Sequence, residues 1–290
     1  MMKKRSLTLL VTALAASNYV SAADLTITHY NPAEDAIFPA TSVLISGEKE
    51  LMLFDAQFSI KDGQKLVEQI KESGKALSMI YISGGDPDYY FGLEPIVAAF
   101  PDVKVVASEA VVKHIEKTKD AKLAYWGPIL EDGAPSNIVV PTVLNDTTLT
   151  LEGKRIEVKE INSHDAYLWV PSEKTVFGGV SVYSGVHVWM ADTALKQERT
   201  QWSQSLERMK KLQPETVIPG HYLGDVPKGM ESIQFTLDYI ADIELALEKS
   251  SKPTSSEIVE TMKAKYPAFT ATEGDLELGA KVLSGEMKWH

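Results

Sequence analysis

The 290-residue chain contains no cysteine. That absence excludes a disulfide scaffold, a thiolate nucleophile, an iron–sulfur cluster and a zinc site built on CxxC pairs, so any metal would be held by His, Asp and Glu. Basic residues are in short supply: 29 Lys and Arg face 40 Asp and Glu, a net charge of −11. No basic stripe occurs, and because nucleic-acid binding rests on clustered Lys and Arg, a nucleic-acid partner is not expected. Past the N-terminus no apolar run is long enough to span a bilayer. The G-x-S-x-G elbow, the G-x-G-x-x-G loop and the Walker loop are all missing, which removes support for a serine hydrolase of the α/β-hydrolase plan.

What is present begins with an export pattern. Met1-Met2-Lys3-Lys4-Arg5 forms a charged start, Leu7 to Ala16 a short apolar stretch, and Val20-Ser21-Ala22 offers small residues for cleavage. Residues 1–22 therefore read as a signal peptide and 23–290 as a single domain, periplasmic or secreted. A membrane anchor fits less well, since the run falls short of the ~20 residues a spanning helix needs and is broken by Ser17 and Asn18. Without cysteine there is nothing to acylate, so no anchor is expected after cleavage. Losing three basic and no acidic residues takes the net charge to −14.

Short apolar runs at Ser42–Ile45 and Leu51–Phe54, separated by Gly47-Glu48-Lys49-Glu50, predict a hairpin that ends at Asp55. A helix over 63–73, a buried strand at Leu77–Ile82, a loop at 83–92, and then helix (93–100), strand (103–107) and helix (109–119) make the first half alternate. The middle carries meander-like strands around 155–158, 167–170 and 175–177. After a helical stretch from Leu195 to Leu212 and a strand at Thr216–Ile218, helical patterns recur near 230–248, 255–265 and 275–285. Thr254-Ser255-Ser256-Glu257 has the form of a capping box.

Chemistry concentrates at strand ends. The loop Ser83-Gly84-Gly85-Asp86-Pro87-Asp88-Tyr89-Tyr90-Phe91-Gly92 follows a buried strand, the place where ligands bind in open α/β sheets. Asp86 and Asp88 could converge on a cation or a water; taken alone, they read rather as caps of the turn and the following helix. His164 and His221 each follow a strand as well, and two histidines with two aspartates make a nitrogen–oxygen site.

In this order, strand–Asp55, loop 83–92, His164, Phe177-Gly178-Gly179-Val180 and Val217-Ile218-Pro219-Gly220-His221, the chain resembles the metallo-β-lactamase fold superfamily over nearly the whole of 23–290. The resemblance implies an αββα sandwich with one or two metals, commonly zinc, at its rim. Against the family pattern T-H-x-H-x-D-H-x-x-G, Ser83 stands for the Thr, Gly84 and Asp86 for two histidines, Asp88 for the Asp, Tyr89 for the last His and Gly92 for the glycine. His164 matches the separate His, Val180 replaces the bridging Asp, and His221 matches the terminal His.

The resemblance thus implies a depleted site. One reading is a hydrolase of an ester, lactone, thioester or amide bond whose water is activated by one divalent metal, zinc or manganese or iron, on some of Asp86, Asp88, His164 and His221. A second uses no metal, with Asp88 or His164 as general base and Tyr89 polarising the carbonyl. A third is a small-molecule binder without turnover. Asp55 resembles the family's residue that ties the metal loop to its neighbouring strand, and His187 is a replacement ligand, a substrate contact or a structural histidine. Among the aromatics, Phe91 and Trp169 read as core, while Tyr89, Tyr90, Trp126 and Trp189 could line a pocket. Asp192 reads as the N-cap of the next helix. The helical C-terminal region could cover the cleft edge or form a dimer surface, so a homo-oligomer is left open.

Overall fold

Side-chain alternation along the first hairpin sets the layering. In the computed structural model, which describes residues 24–163 and 166–289, Leu44, Leu51 and Leu53 face one apolar cluster while Val43, Ile45, Met52 and Phe54 face another. The segment 1–22 read as a signal lies outside the described residues.

The first half supplies β1 (Thr26–Tyr30), β2 (Ser42–Ser46), β3 (Glu50–Phe54), α1 (Ile60–Glu72), β4 (Ala76–Ile82), α2 (Pro87–Tyr90), α3 (Leu93–Ala99), β5 (Lys104–Ala107), α4 (Glu109–Leu130) and β6 (Thr142–Val143). The six strands form one sheet in sequence order, antiparallel from β1 to β3 and parallel from β3 to β6. The second half supplies β7 (Thr148–Leu151), β8 (Lys154–Lys159), β9 (Tyr167–Val170), β10 (Thr175–Phe177), β11 (Tyr183–Ser184), α5 (Lys196–Lys211), β12 (Thr216–Val217), β13 (His221–Tyr222), α6 (Glu231–Glu248), α7 (Ser255–Lys265) and α8 (Glu273–Leu283). Its main sheet has the order β12-β10-β9-β8-β7, and β11 pairs β13 in parallel beside it.

Three cores separate four layers. Phe54, Tyr81, Leu168 and Phe177 belong to the cluster between the two sheets. Leu66, Ile70, Ile96 and Ile115 bury α1, α3 and α4 on the outer face of the first sheet, and Leu206, Ile240, Ile258 and Leu276 bury α5 to α8 against the second. The result is the αββα sandwich that the sequence implied. Strands covered on both faces explain why β3 and β9 read as continuous apolar runs rather than alternating ones.

The hairpin, the strand at 77–82 and the C-terminal helices fall where expected, and Thr254 with Glu257 forms the capping box at α7. Three differences bear on the site. The helix expected to stop at Lys119 continues to Leu130, because Trp126 extends its buried face. The 83–92 loop contains the single turn α2. Asp192 does not cap α5, whose N-cap is Leu195; its carboxylate instead accepts the indole N–H groups of Trp189 and Trp289.

Gly92, the glycine of the loop pattern, approaches the backbone closely: a Cβ there would stand 2.0 Å from the carbonyl oxygen of Ala56. Gly92→Ala is expected to lower stability by about 3 kcal/mol. Gly274→Ala, where a Cβ meets open space in α8, is expected to raise it by about 0.5 kcal/mol. Urea unfolding midpoints check both signs.

Candidate active site

A buried carboxylate aligns the strand ends. Asp55 follows β3 in the left-handed region, with φ 62°, and accepts the Ser83 backbone N–H at 2.7 Å and its hydroxyl at 2.6 Å. The Ser83 oxygen in turn accepts the Gly179 N–H at 2.7 Å. Three segments, the ends of β3, β4 and β10, are thereby joined, which is the tying role that the family resemblance implied for Asp55. Burial pushes the Asp55 carboxyl up to about 7, opposed by the hydrogen bonds from Ser83.

From Ser83 the chain enters α2, with Asp86 as N-cap residue and Pro87 at its first position. The Ala56 N–H donates to the Tyr89 carbonyl at 2.7 Å and the Gly92 N–H to the Gln57 carbonyl at 2.9 Å, fixing both ends of the turn. On it, Asp88 Oδ2 lies 3.1 Å from His221 Nε2, and the Tyr89 hydroxyl lies 3.1 Å from the same nitrogen. His221 arrives through Pro219-Gly220, and a Cβ on Gly220 would stand 2.0 Å from the Gly179 carbonyl oxygen. Only glycine lets the two backbones pass so closely. On the neighbouring strand Tyr183 stacks on the imidazole, with centroids 5.1 Å apart and planes 18° apart.

These groups wall a small cavity of about 40 Å³, which shares Asp86, Val180, Trp189 and Asp192 with an adjoining groove of about 410 Å³. Lys122 enters from the extended part of α4, its ammonium 3.3 Å from Asp86 Oδ1 and 5.7 Å from the centre of the Trp289 ring. Burial pulls the Lys122 amine down, but the carboxylates of Asp86, Asp192 and Asp88 outweigh it and leave it raised. Asp192 is pushed up to about 6 by burial and by Asp86. Asp275, from α8, is pushed up to about 7 by burial, with His221 opposing and Asp88 adding to the rise. Tyr183 is 3 % exposed, and among the described residues its hydroxyl has no hydrogen-bond partner. Burial and the charges of Asp88, Asp275, Asp192 and Asp86 hold that phenol protonated.

Of the residues expected from sequence, Asp86, Asp88, His221 and His187 all reach the cavity wall. Tyr89 lies behind His221, fully buried, and His164 lies outside the described residues. His187 is held by Tyr239, whose hydroxyl is 2.9 Å from its Nδ1, and its backbone N–H donates to Thr272. Trp126 and Trp189 line the cavity, while Tyr90, Phe91 and Trp169 are core. Sequence reasoning missed Lys122, Tyr183, Asp275 and Trp289. Tyr183 alone had a local signal, three residues past the Gly179-Val180 pair at a strand start.

The metallo-beta-lactamase superfamily model matches residues 36–221. The chain belongs to that superfamily. Solved structures agree on the fold: a metallo-beta-lactamase family protein from Thermus thermophilus superposes with a TM-score of 0.58 at 17% identity, covering 90% of this chain and 94% of that one. A metallo-beta-lactamase from Pontibacter korlensis gives 0.53 at 18% identity, covering 76% of this chain and 100% of its own.

Superfamily members commonly hold divalent metals such as zinc, but the described donors do not fit such a centre. The resemblance sets Gly84, Tyr89 and Val180 at ligand positions, the Tyr89 phenol is pushed well above its ordinary range by burial and Asp88, and Asp86 is engaged by Lys122. Asp88 and His221 touch each other directly. Among the described residues no group of three or more His, Asp or Glu is placed to share an ion.

The cavity-wall histidine generates a pH signature. Burial holds His187 down at about 4, so between that value and its ordinary 6.5 the unfolded chain binds the proton and the folded one does not. His187 therefore contributes stability above pH 6.5 that is lost as pH falls towards 4. Thermal unfolding of wild type and His187→Gln across that range is expected to show the variant's deficit shrinking as the pH drops.

Proposed function

We propose that this protein is an exported hydrolase of an ester, lactone, thioester or amide bond that activates water with its own side chains. The observation that carries the reading is the Asp88–His221 contact at the wall of a cavity beside the unpartnered hydroxyl of Tyr183. The N-terminal charged, apolar and small-residue sequence supports export, and superfamily membership supports hydrolysis.

His221, with its proton on Nε2, donates to Asp88 Oδ2 and fixes the carboxylate. The other Asp88 oxygen takes a proton from water as the water oxygen bonds to the acyl carbon. The carbonyl oxygen becomes an oxyanion that accepts the Tyr183 O–H, a donor that burial and four carboxylates keep protonated. Collapse breaks the bond to the leaving group, which takes the proton back from Asp88. Lys122 holds Asp86 away from this carboxylate and supplies a fixed positive charge at the rim.

Assay of purified protein against the four bond classes checks this. Asp88→Asn is expected to lower kcat/KM by about 10²–10⁴, and Tyr183→Phe to lower kcat by about 10²–10³. Prior dialysis against EDTA is expected to leave activity intact. Full activity in Asp88→Asn, or its loss on chelation, contradicts the reading.

A further inference from the structure

Among the described residues, carboxyl groups outnumber lysine and arginine on the cavity wall. Asp86, Asp88, Asp192 and Asp275 all line the cavity beside His187 and His221, and Lys122 is the one lysine or arginine on its wall among the described residues. Lys122 is committed to Asp86, and Asp192 is held by two indole N–H groups, while Asp275 has no hydrogen-bond partner among the described residues. The Tyr183 hydroxyl, on a side chain almost wholly buried, is the second unpartnered polar group lining the same space. Aromatic rings complete the enclosure: Phe38 meets Trp126 and Trp189 edge to face at 5.2 and 5.6 Å, and Trp189 meets Trp289 at 5.5 Å. Ring faces and carboxylates together attract cations, and the Lys122 ammonium above Trp289 is a cation that this wall already accepts.

Resting on the hydrolase reading, we propose that the substrate is a small acyl compound bearing a primary ammonium group, which enters the cavity against Asp275 while the leaving group lies in the adjoining groove. The size supports a compact head. A volume of about 40 Å³, against the ~10–15 Å³ of one water-sized sphere, favours a compact primary ammonium over a bulkier head group. Because Asp275, Asp88 and Tyr183 share the wall of one small cavity, an ammonium at Asp275 leaves the carbonyl of an aminoacyl ester or amide within reach of Asp88 and Tyr183. The raised carboxyls of Asp192 and Asp275 agree with a site that lacks a counter-charge until a ligand brings one.

Equilibrium binding separates this from turnover. Trp126, Trp189 and Trp289 report on the cavity, so their fluorescence is followed on titration with glycinamide, with acetamide as the neutral counterpart, and with Mg²⁺ and Mn²⁺. The expected result is saturable binding of glycinamide at least tenfold tighter than acetamide, weakened at least tenfold in Asp275→Asn. Equal response to the two amides overturns the proposal on the wild-type protein alone, whatever the variant does. Saturable Mg²⁺ or Mn²⁺ binding that competes with glycinamide and disappears in Asp275→Asn overturns it in favour of a metal site. Amine-selective binding without cleavage of any aminoacyl ester upholds the recognition and sinks the hydrolase reading, whereas cleavage of acyl esters with no preference for the amino group sinks the recognition alone.

Discussion

The hydrogen-bond relay from Asp55 through Ser83 to Gly179 is the contact on which the site depends. The cavity needs groups from both sheets, and the relay joins the end of β3, the end of β4 and the segment after β10 through three short hydrogen bonds. A buried carboxylate left without those donors would cost several kcal/mol, so the arrangement is strongly specified. It sets where α2 begins, and hence where Asp88 meets His221. Ser83 shows what the relay requires of its second member: a hydroxyl that donates to one sheet's loop and accepts from the other's.

Charge follows from that placement. The family resemblance sets Gly84, Tyr89 and Val180 where the pattern has two histidines and a bridging aspartate. Four carboxylates line the cavity, Asp86, Asp88, Asp192 and Asp275, and their repulsion is partly answered from within, by Lys122 against Asp86 and by the indole N–H groups on Asp192. Asp88 is met by His221, which leaves Asp275 facing a chamber walled by aromatic rings. Burial first, and then the charges of Asp88, Asp275, Asp192 and Asp86, keep the Tyr183 phenol protonated, which preserves a hydrogen-bond donor on the same wall.

Much of the fold was legible in the chain because its signals are local. The Ser42–Phe54 hairpin, the strand before Ser83 and the Thr254 capping box each follow from periodicity and turn chemistry within a few residues, and the order of Asp55, the 83–92 loop and His221 carried the superfamily. Asp86, Asp88 and His221 were readable because they sit at strand ends. Lys122, Asp275 and Trp289 were not, since each lies on a helix or after one, far along the chain, and reaches the cavity only through tertiary packing. Asp192 shows the same limit from the other side: a residue with the local form of a helix cap is taken by two tryptophans, one of them 97 positions away. Tyr89, read as facing substrate, is instead set behind His221 by the turn that α2 makes.

The proposed chemistry runs through side chains rather than through a resident ion. Elemental analysis of the full-length protein, purified without chelator from zinc- and manganese-supplemented cells, measures that claim directly. Metal well below one atom per chain, with no ion retained after equilibrium dialysis at micromolar zinc, is the result the account requires. One tightly held zinc, manganese or iron per chain, lost in Asp88→Asn, would contradict it.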